Sequence, residues 1–258
     1  QQNQWEKLQQ RREQSLPHAL LLTGPQGMGK LSFAQAFAED VLCCGDNAAY
    51  SAQLLQAGNH SDYFEVQPEE AGKAIKVDQI RALVAKLNQT PQISSYQVAL
   101  INPAENMNIA AANALLKTLE EPPGNVVLLL VTHRASGLLP TIRSRCQQIS
   151  FPVPPVNIVR EWLVDQVQDK AVIDGLIRQA DGIPLNALAL TQSDALAERV
   201  QLLKAFIALC EGSQTPVQLA ELCQKEQAEE VFLTLSKIAL DLLRLKQGLV
   251  QQMTFPQA

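Results

Sequence analysis

Between residues 24 and 30 the chain reads Gly24-Pro25-Gln26-Gly27-Met28-Gly29-Lys30, a run whose residue types and spacing suit phosphate chemistry. Closely spaced glycines let consecutive backbone N–H groups converge on anionic oxygens at a helix N-terminus, and the lysine neutralises the outer phosphates. The next residue should carry a hydroxyl for the magnesium ion that bridges those phosphates. Here it is Leu31. Ser32 does not stand in, because one step along a helix swings a side chain by about 100°. Two readings of Gly24, Gly27, Gly29 and Lys30 stay open: a loop that still holds an anion without useful magnesium, or a loop kept only as a turn from strand to helix.

The second element of such a site is an apolar strand ending in aspartate, usually followed by an acidic base for the attacking water. The strand is present as Val98-Ala99-Leu100-Ile101, but it ends in Asn102-Pro103. An amide brings no charge to the metal and proline accepts no proton. Glu105, three residues beyond Asn102, would need a different local geometry to help. Leu31 and Asn102 together mark two lost metal contacts, so hydrolysis within this chain is not expected. A third chemical group lies in Pro140-Thr141-Ile142-Arg143-Ser144-Arg145-Cys146, read as a short helix leading into a last strand. A guanidinium there can reach out of its own domain toward a phosphate held by a neighbour, where such fingers are worth roughly 10³–10⁵ in rate. Taken alone, an arginine is more often solvated or ion-paired at a surface.

The elements that carry these residues read as alternating strands and helices. Ala19–Thr23, Tyr63–Val66, Val98–Ile101, Val126–Val131 and Ile149–Phe151 are short, β-rich and bounded by turn signals. Lys30–Leu42, Val77–Asn88 and Asn108–Glu121 carry apolar residues at helical spacing between them, which predicts a wound parallel sheet in an α/β domain. Pro122 and Pro123 stop the helix from Asn108. The stiff run Phe151-Pro152-Val153-Pro154-Pro155 marks a first boundary, and all beyond it reads as helix. A second boundary is expected near Thr191 to Asp194. Three domains follow: an α/β phosphate-loop domain over 1–151, a small helical domain over 152–192, and a helical domain over 193–258 with amphipathic helices, expected to be incomplete.

The chain has 258 residues, 47% of them apolar and only 5% aromatic, so its core rests on Leu, Val, Ile and Ala. No apolar run approaches the ~20 residues of a membrane span, and the polar start shows no secretory signal. The true N-terminus is expected to lie outside the sequence, which has no initiator Met. Five scattered cysteines predict reduced thiols in a cytoplasm rather than a disulfide framework. A net charge of -5 speaks against a protein that grips nucleic acid unaided.

Asn113-Ala-Leu-Leu-Lys117-Thr-Leu-Glu120-Glu121-Pro122-Pro123, with Leu139-Pro-Thr-Ile-Arg-Ser144-Arg145-Cys146 after it, closely resembles the subunits of bacterial clamp loaders. With the degenerate phosphate loop and Asn102-Pro103, the likeness is to the delta-prime branch of that family rather than to gamma/tau. The resemblance covers the chain to about Leu190 and fades in the last helices. It implies an AAA+ module with a helical lid and a C-terminal collar that joins a five-subunit ring.

The resemblance further implies that Ser144-Arg145-Cys146 is the family's finger motif, with Arg145 acting in trans on a neighbouring gamma/tau site. It implies ATP and magnesium bound by that neighbour and no cofactor of the chain's own. Its implied partners are the gamma/tau and delta subunits, the sliding clamp and primed DNA, with no membrane. Leu185 stands where an active relative places a lid arginine. The family usually carries a four-cysteine zinc module after the first helix; Cys43-Cys44-Gly45-Asp46 cannot supply a tetrahedral site, and His60 is lone, so zinc is not expected. An active gamma/tau-type ATPase with a non-standard metal arrangement is the alternative, and a free-standing nucleic-acid-binding module is a third reading.

Overall fold

The computed structural model describes residues 2–12, 16–45, 47–70, 72–192, 195–223, 228–248 and 254. Asp46, residues 193 and 194 at the expected second boundary, and the polar tail apart from Thr254 lie outside them. The chain divides into two compact units, Gln1–Pro152 and Val153–Ala258.

The first unit is built on five strands, β1 (Ala19–Thr23), β2 (Tyr63–Val66), β3 (Gln97–Ile101), β4 (Val126–Thr132) and β5 (Gln147–Ser150). They form one sheet in the order β2-β3-β4-β1-β5 with every pair parallel. Parallel strands covered on both faces need apolar residues in succession rather than in alternation. Leu20, Leu21 and Leu22, all of β3 and all of β4 are accordingly buried. The helices are α1 (Gln2–Arg12), α2 (Lys30–Leu42), α3 (Ala48–Gln56), α4 (Val77–Leu87), α5 (Ile109–Glu120) and the short α6 (Pro140–Arg143). Leu21, Ala99, Ile101, Leu128 and Leu130 point into a core shared with Ile80 and Leu83 of α4 and with Leu115 and Leu119 of α5.

Local chemistry sets the helix ends. Asn108 caps α5, its side-chain oxygen accepting from Ala111 N at 2.8 Å. The side chain of Gln79 reaches back to Lys76 N at 2.9 Å to close the start of α4. Two helices departed from the sequence reading. The polar α1 is held by Leu8, which is 2% exposed, and by Trp5, whose ring meets Phe33 and Phe37 of α2 edge-on at 5.6 and 6.2 Å. The segment after Cys44, to which the sequence reading gave no element, holds α3. The last strand begins two residues earlier than expected and ends before Phe151, whose N–H still donates to Thr23 O at 2.7 Å.

Where the chain crosses from α3 to β2, a buried polar network replaces apolar packing. Asp62 is fully buried and its carboxylate accepts the backbone N–H of Gln92, Ile93 and Ser94 at 2.8, 2.7 and 2.9 Å. His60 accepts from Asp62 N through Nδ1, which leaves its Nε2 facing the hydroxyls of Ser51 and Ser94. Ser94 in turn donates to Leu42 O at 2.7 Å, tying the end of α2 to the loop before β3. Burial holds the imidazole of His60 below its ordinary pKa, against the pull of Asp62.

The second unit is helical: α7 (Val156–Val164), α8 (Ile173–Gln179), α9 (Pro184–Gln192), α10 (Ala195–Cys210), α11 (Pro216–Cys223) and α12 (Ala228–Lys246). Val159, Leu163, Ile173, Leu176, Ile177, Ala187 and Leu190 form one cluster, and Leu203 with Ile238 a smaller one. Among the described residues no helix is long and apolar enough to cross a membrane.

Removing the Asp62 carboxylate leaves three part-buried N–H donors without their acceptor. Asp62→Ala is expected to lower unfolding free energy by about 3 kcal/mol. Urea unfolding measures it, and a loss below about 1 kcal/mol would mean that those donors are satisfied without the carboxylate.

Candidate functional site

Because all five strands run the same way, the loops after β1, β3 and β4 emerge at one end of the sheet. In open α/β sheets that carboxyl end, where the strand order reverses, is where ligands bind. The chain leaves β1 for the far edge at β2 and returns through β3 and β4 to its side.

The loop after β1 takes the backbone path its glycines permit. Gly24, Gly27 and Gly29 all have positive φ, at 148, 84 and 71°. At Gly24 a Cβ would stand 2.3 Å from Phe151 O, so close approach as well as conformation requires glycine there. Lys30 opens α2 and is 2% exposed. Its ammonium donates to Gly24 O and Pro25 O, both at 2.6 Å. The charge that should meet a phosphate is thus turned onto its own loop as a cross-brace. Burial brings Lys30 down to about 8, with Glu105 opposing the fall.

Leu31, half-buried, offers no oxygen next to that lysine. Asn102 follows β3 and its Oδ1 is buried without a hydrogen-bond partner among the described residues. This donor set, a methyl-tipped side chain and a neutral amide, does not fit a magnesium ion. Glu105 lies in the turn after Asn102, and its charge favours the protonated form of Lys30. One of its oxygens accepts His133 N at 2.8 Å and the other is buried and unpartnered.

Thr132 and His133 at the end of β4 complete the group and escaped the sequence reading. Thr132 is fully buried and its hydroxyl accepts Arg134 N at 3.2 Å. Burial, with Lys30 adding to it and Glu105 opposing, holds His133 below its ordinary pKa. The signal was a polar pair ending an otherwise wholly apolar strand. Among the described residues no three His, Cys, Asp or Glu side chains gather as a metal site. Cys43 and Cys44 close α2, the Cys44 thiol donating to Asp40 O at 3.3 Å.

Ser144, Arg145 and Cys146 lie at the other end of the sheet. They enter β5, whose Gln147 pairs with Leu20 near the start of β1. The five residues of β1 span about 15 Å, so Arg145 and the phosphate loop are separated by more than an arginine's reach. The sulfur of Cys146 is buried in the core, which pushes its thiol up to about 11. Arg145 stays a third exposed and pairs with Glu120 at the end of α5. Its Nε donates to Glu120 Oε1 at 2.7 Å and its Nη1 to Thr141 O at 3.0 Å. Arg143 beside it keeps a buried Nε without a partner among the described residues. In the second unit Leu185, second in α9, is 39% exposed.

A parallel five-stranded sheet with a glycine-rich loop after β1 and polar residues closing β3 and β4 defines a P-loop module of the AAA+ class, continued here by a helical unit. Residues 1–155 match the family described as DNA polymerase III, delta subunit, and residues 193–258 match DNA polymerase III, delta subunit, C terminal. The chain is 42% identical over 231 residues to the DNA polymerase III subunit delta' of Pseudomonas aeruginosa, covering 86% of this chain and 69% of that protein. It is 33% identical over 243 residues to the delta' subunit of Escherichia coli, covering 91% and 72%. It therefore belongs to the family of DNA polymerase III delta-prime subunits, which serves DNA replication. It is related more distantly to the tau subunit of Bacillus subtilis, at 36% identity over 54% of this chain and 25% of that one. A DNA polymerase III gamma subunit-related protein from Thermotoga maritima shares the fold, with a TM-score of 0.53 at 24% identity over 91% of this chain and 77% of that one.

Lys30 is expected to leave a signature in stability against pH. It titrates at about 8 when folded and at its ordinary 10.5 when unfolded. Between those values the unfolded chain binds the extra proton, so stability rises with pH; below about 8 both states are charged and the dependence vanishes. Relative to Lys30→Met, wild-type protein is expected to gain about 2 kcal/mol between pH 8 and pH 10. A difference that stays flat across that interval, by denaturant unfolding, would remove the lowered pKa.

Proposed function

We propose that this chain is a non-catalytic clamp-loader subunit that scaffolds the loader ring and supplies Arg145 in trans to a neighbouring ATPase subunit. The observation that carries the reading is the placement of Arg145 at the end of the sheet opposite its own phosphate loop. An arginine so placed is useless to its own pocket and available to another. Turnover then belongs to an interface, with ATP and magnesium held by a gamma/tau subunit and the guanidinium meeting charge as it develops on the transferred phosphoryl group. Leu31, Asn102 and the folded-back Lys30 support the companion statement, that this chain needs no nucleotide or magnesium of its own.

In the same reading, residues 152–192 are a lid whose Leu185 replaces a nucleotide-sensing arginine, and residues 193–258 belong to the collar. The exposed Phe232, Leu233, Leu242 and Leu243 of α12 suit a helix that packs against other subunits. The partners are gamma/tau and delta subunits, and through the assembly the sliding clamp and primed DNA, in the cytoplasm. The acidic balance of the chain agrees with contact to DNA made by the assembly rather than by this subunit alone.

One observation favours the rival, an active gamma/tau-type ATPase. Glu105 puts a carboxylate in the pocket where a base would be wanted. That reading requires magnesium-dependent turnover by the isolated chain, abolished by Lys30→Ala.

The isolated chain is expected to show no magnesium-dependent ATP hydrolysis above background. In the reconstituted loader, Arg145→Ala is expected to cut turnover at the site it serves by about 10³-fold or more and to lower clamp-loading yield. Single-turnover ATPase and loading assays measure both, and wild-type values in the variant would remove the trans role.

A further inference from the structure

The contacts of Arg145 say more than that it is exposed. A guanidinium has five N–H groups in a rigid planar fork. On one edge, Nε donates to Glu120 Oε1 at 2.7 Å and Nη2 pairs with the same oxygen. On the other side, Nη1 donates to Thr141 O at 3.0 Å, with Ser144 Oγ at 3.5 Å. Four N–H groups are thereby engaged within the chain, the one toward Ser144 by a long contact. One N–H of Nη2 stays uncommitted among the described residues, enough to donate to a phosphate oxygen. The plane of the guanidinium is fixed by these contacts while that N–H remains open.

We infer that Glu120 is the positioning residue of Arg145, holding the guanidinium pre-oriented so that its remaining Nη2 N–H meets a phosphoryl group on an adjacent subunit. The inference rests on the trans role proposed for Arg145 and goes beyond it by naming the residue through which the finger is set. Glu120 suits the task because of where its helix ends. It is the last residue of α5, ahead of Pro122 and Pro123, which end the helix and direct the chain into β4. The carboxylate is thus anchored to a rigid element whose Ala111, Leu115 and Leu119 are buried in the core. Arg145, by contrast, lies in the loop between α6 and β5 and has a long side chain with large rotamer freedom. A pair this exposed, with side chains 34% and 48% accessible, adds little to stability, so its consequence is orientation.

Glu120 does not compete with the phosphate for the same edge of the guanidinium. A competing latch would occupy the outward end of the fork; here the carboxylate takes the Nε side. Removing Glu120 therefore slows the reaction instead of releasing a restraint. The loss is that of an arginine that must find its orientation in each turnover, about three- to tenfold in rate.

The test uses the reconstituted loader with its ATP-hydrolysing partner subunits. Glu120→Ala is expected to lower kcat about three- to tenfold with little change in KM for ATP. Glu120→Gln, which keeps an oxygen for Nε, is expected to recover most of the rate. The Glu120→Ala, Arg145→Ala double variant is expected to match Arg145→Ala alone, because Glu120 acts only through the arginine. Thermal unfolding of the Glu120 variants is expected to match wild type, separating orientation from folding. A Glu120→Ala loader at wild-type rate, a faster one, or a double variant whose losses add would overturn the inference while leaving Arg145 in place. Wild-type turnover with Arg145→Ala would instead remove the trans role beneath it.

Discussion

In a parallel sheet every strand enters at one end and leaves at the other, and this constraint decides what each functional residue of the chain can reach. With β1 paired between β4 and β5, the glycine loop, Asn102 and Thr132 all emerge at the carboxyl end. The residues that lead into strands, Arg145 before β5 and the end of α5 before β4, gather at the opposite end. Between the two ends, the buried residues of β1, β3 and β4 are mainly Leu, Val, Ile and Ala. A single chain of this fold thus presents one phosphate-type loop and one arginine at the opposite end of the sheet.

The pocket end has been rebuilt around its own charges. A buried ammonium must be paired or hydrogen-bonded to remain charged, and Lys30 obtains this from two loop carbonyls and the electrostatic presence of Glu105. The same three positive-φ glycines that shape an anion cradle here shape a loop closed by its own lysine. Desolvation exceeds the pull of Glu105, so the lysine is lowered and not raised. The arginine end follows the reverse logic. Arg145 remains partly solvated, its partner Glu120 is exposed, and the strength of the pair is spent on direction.

Between these ends, polar chemistry is confined to places where the backbone needs it. Asp62 replaces a missing turn of regular structure by accepting three consecutive N–H groups, and His60 and the serines carry that network to the end of α2. Order in this stretch comes from that carboxylate and from α3.

Much of this was legible in the sequence for a simple reason: buried parallel strands must be continuously apolar, and helix ends must be capped or stopped. Val126 to Val131 could only be a covered strand, and Asn108 with Pro122 bounded α5 to within a residue. Leu31 and Asn102 could be read as departures because magnesium chemistry calls for a hydroxyl and a carboxylate at those spacings. The helices α1 and α3 were not visible, since a polar segment becomes a helix only when one or two side chains such as Trp5 and Leu8 find a surface to bury against. Nor could the sequence say that Lys30 turns back on its loop, that Glu105 accepts from His133 N, or that Glu120 grips Arg145. Residue type and spacing determine which groups are present and which strand or helix carries them. Contacts across 25 residues, as between Glu120 and Arg145, exist only once the sheet has set its register, and hydrogen bonds and charge depend on distance in space.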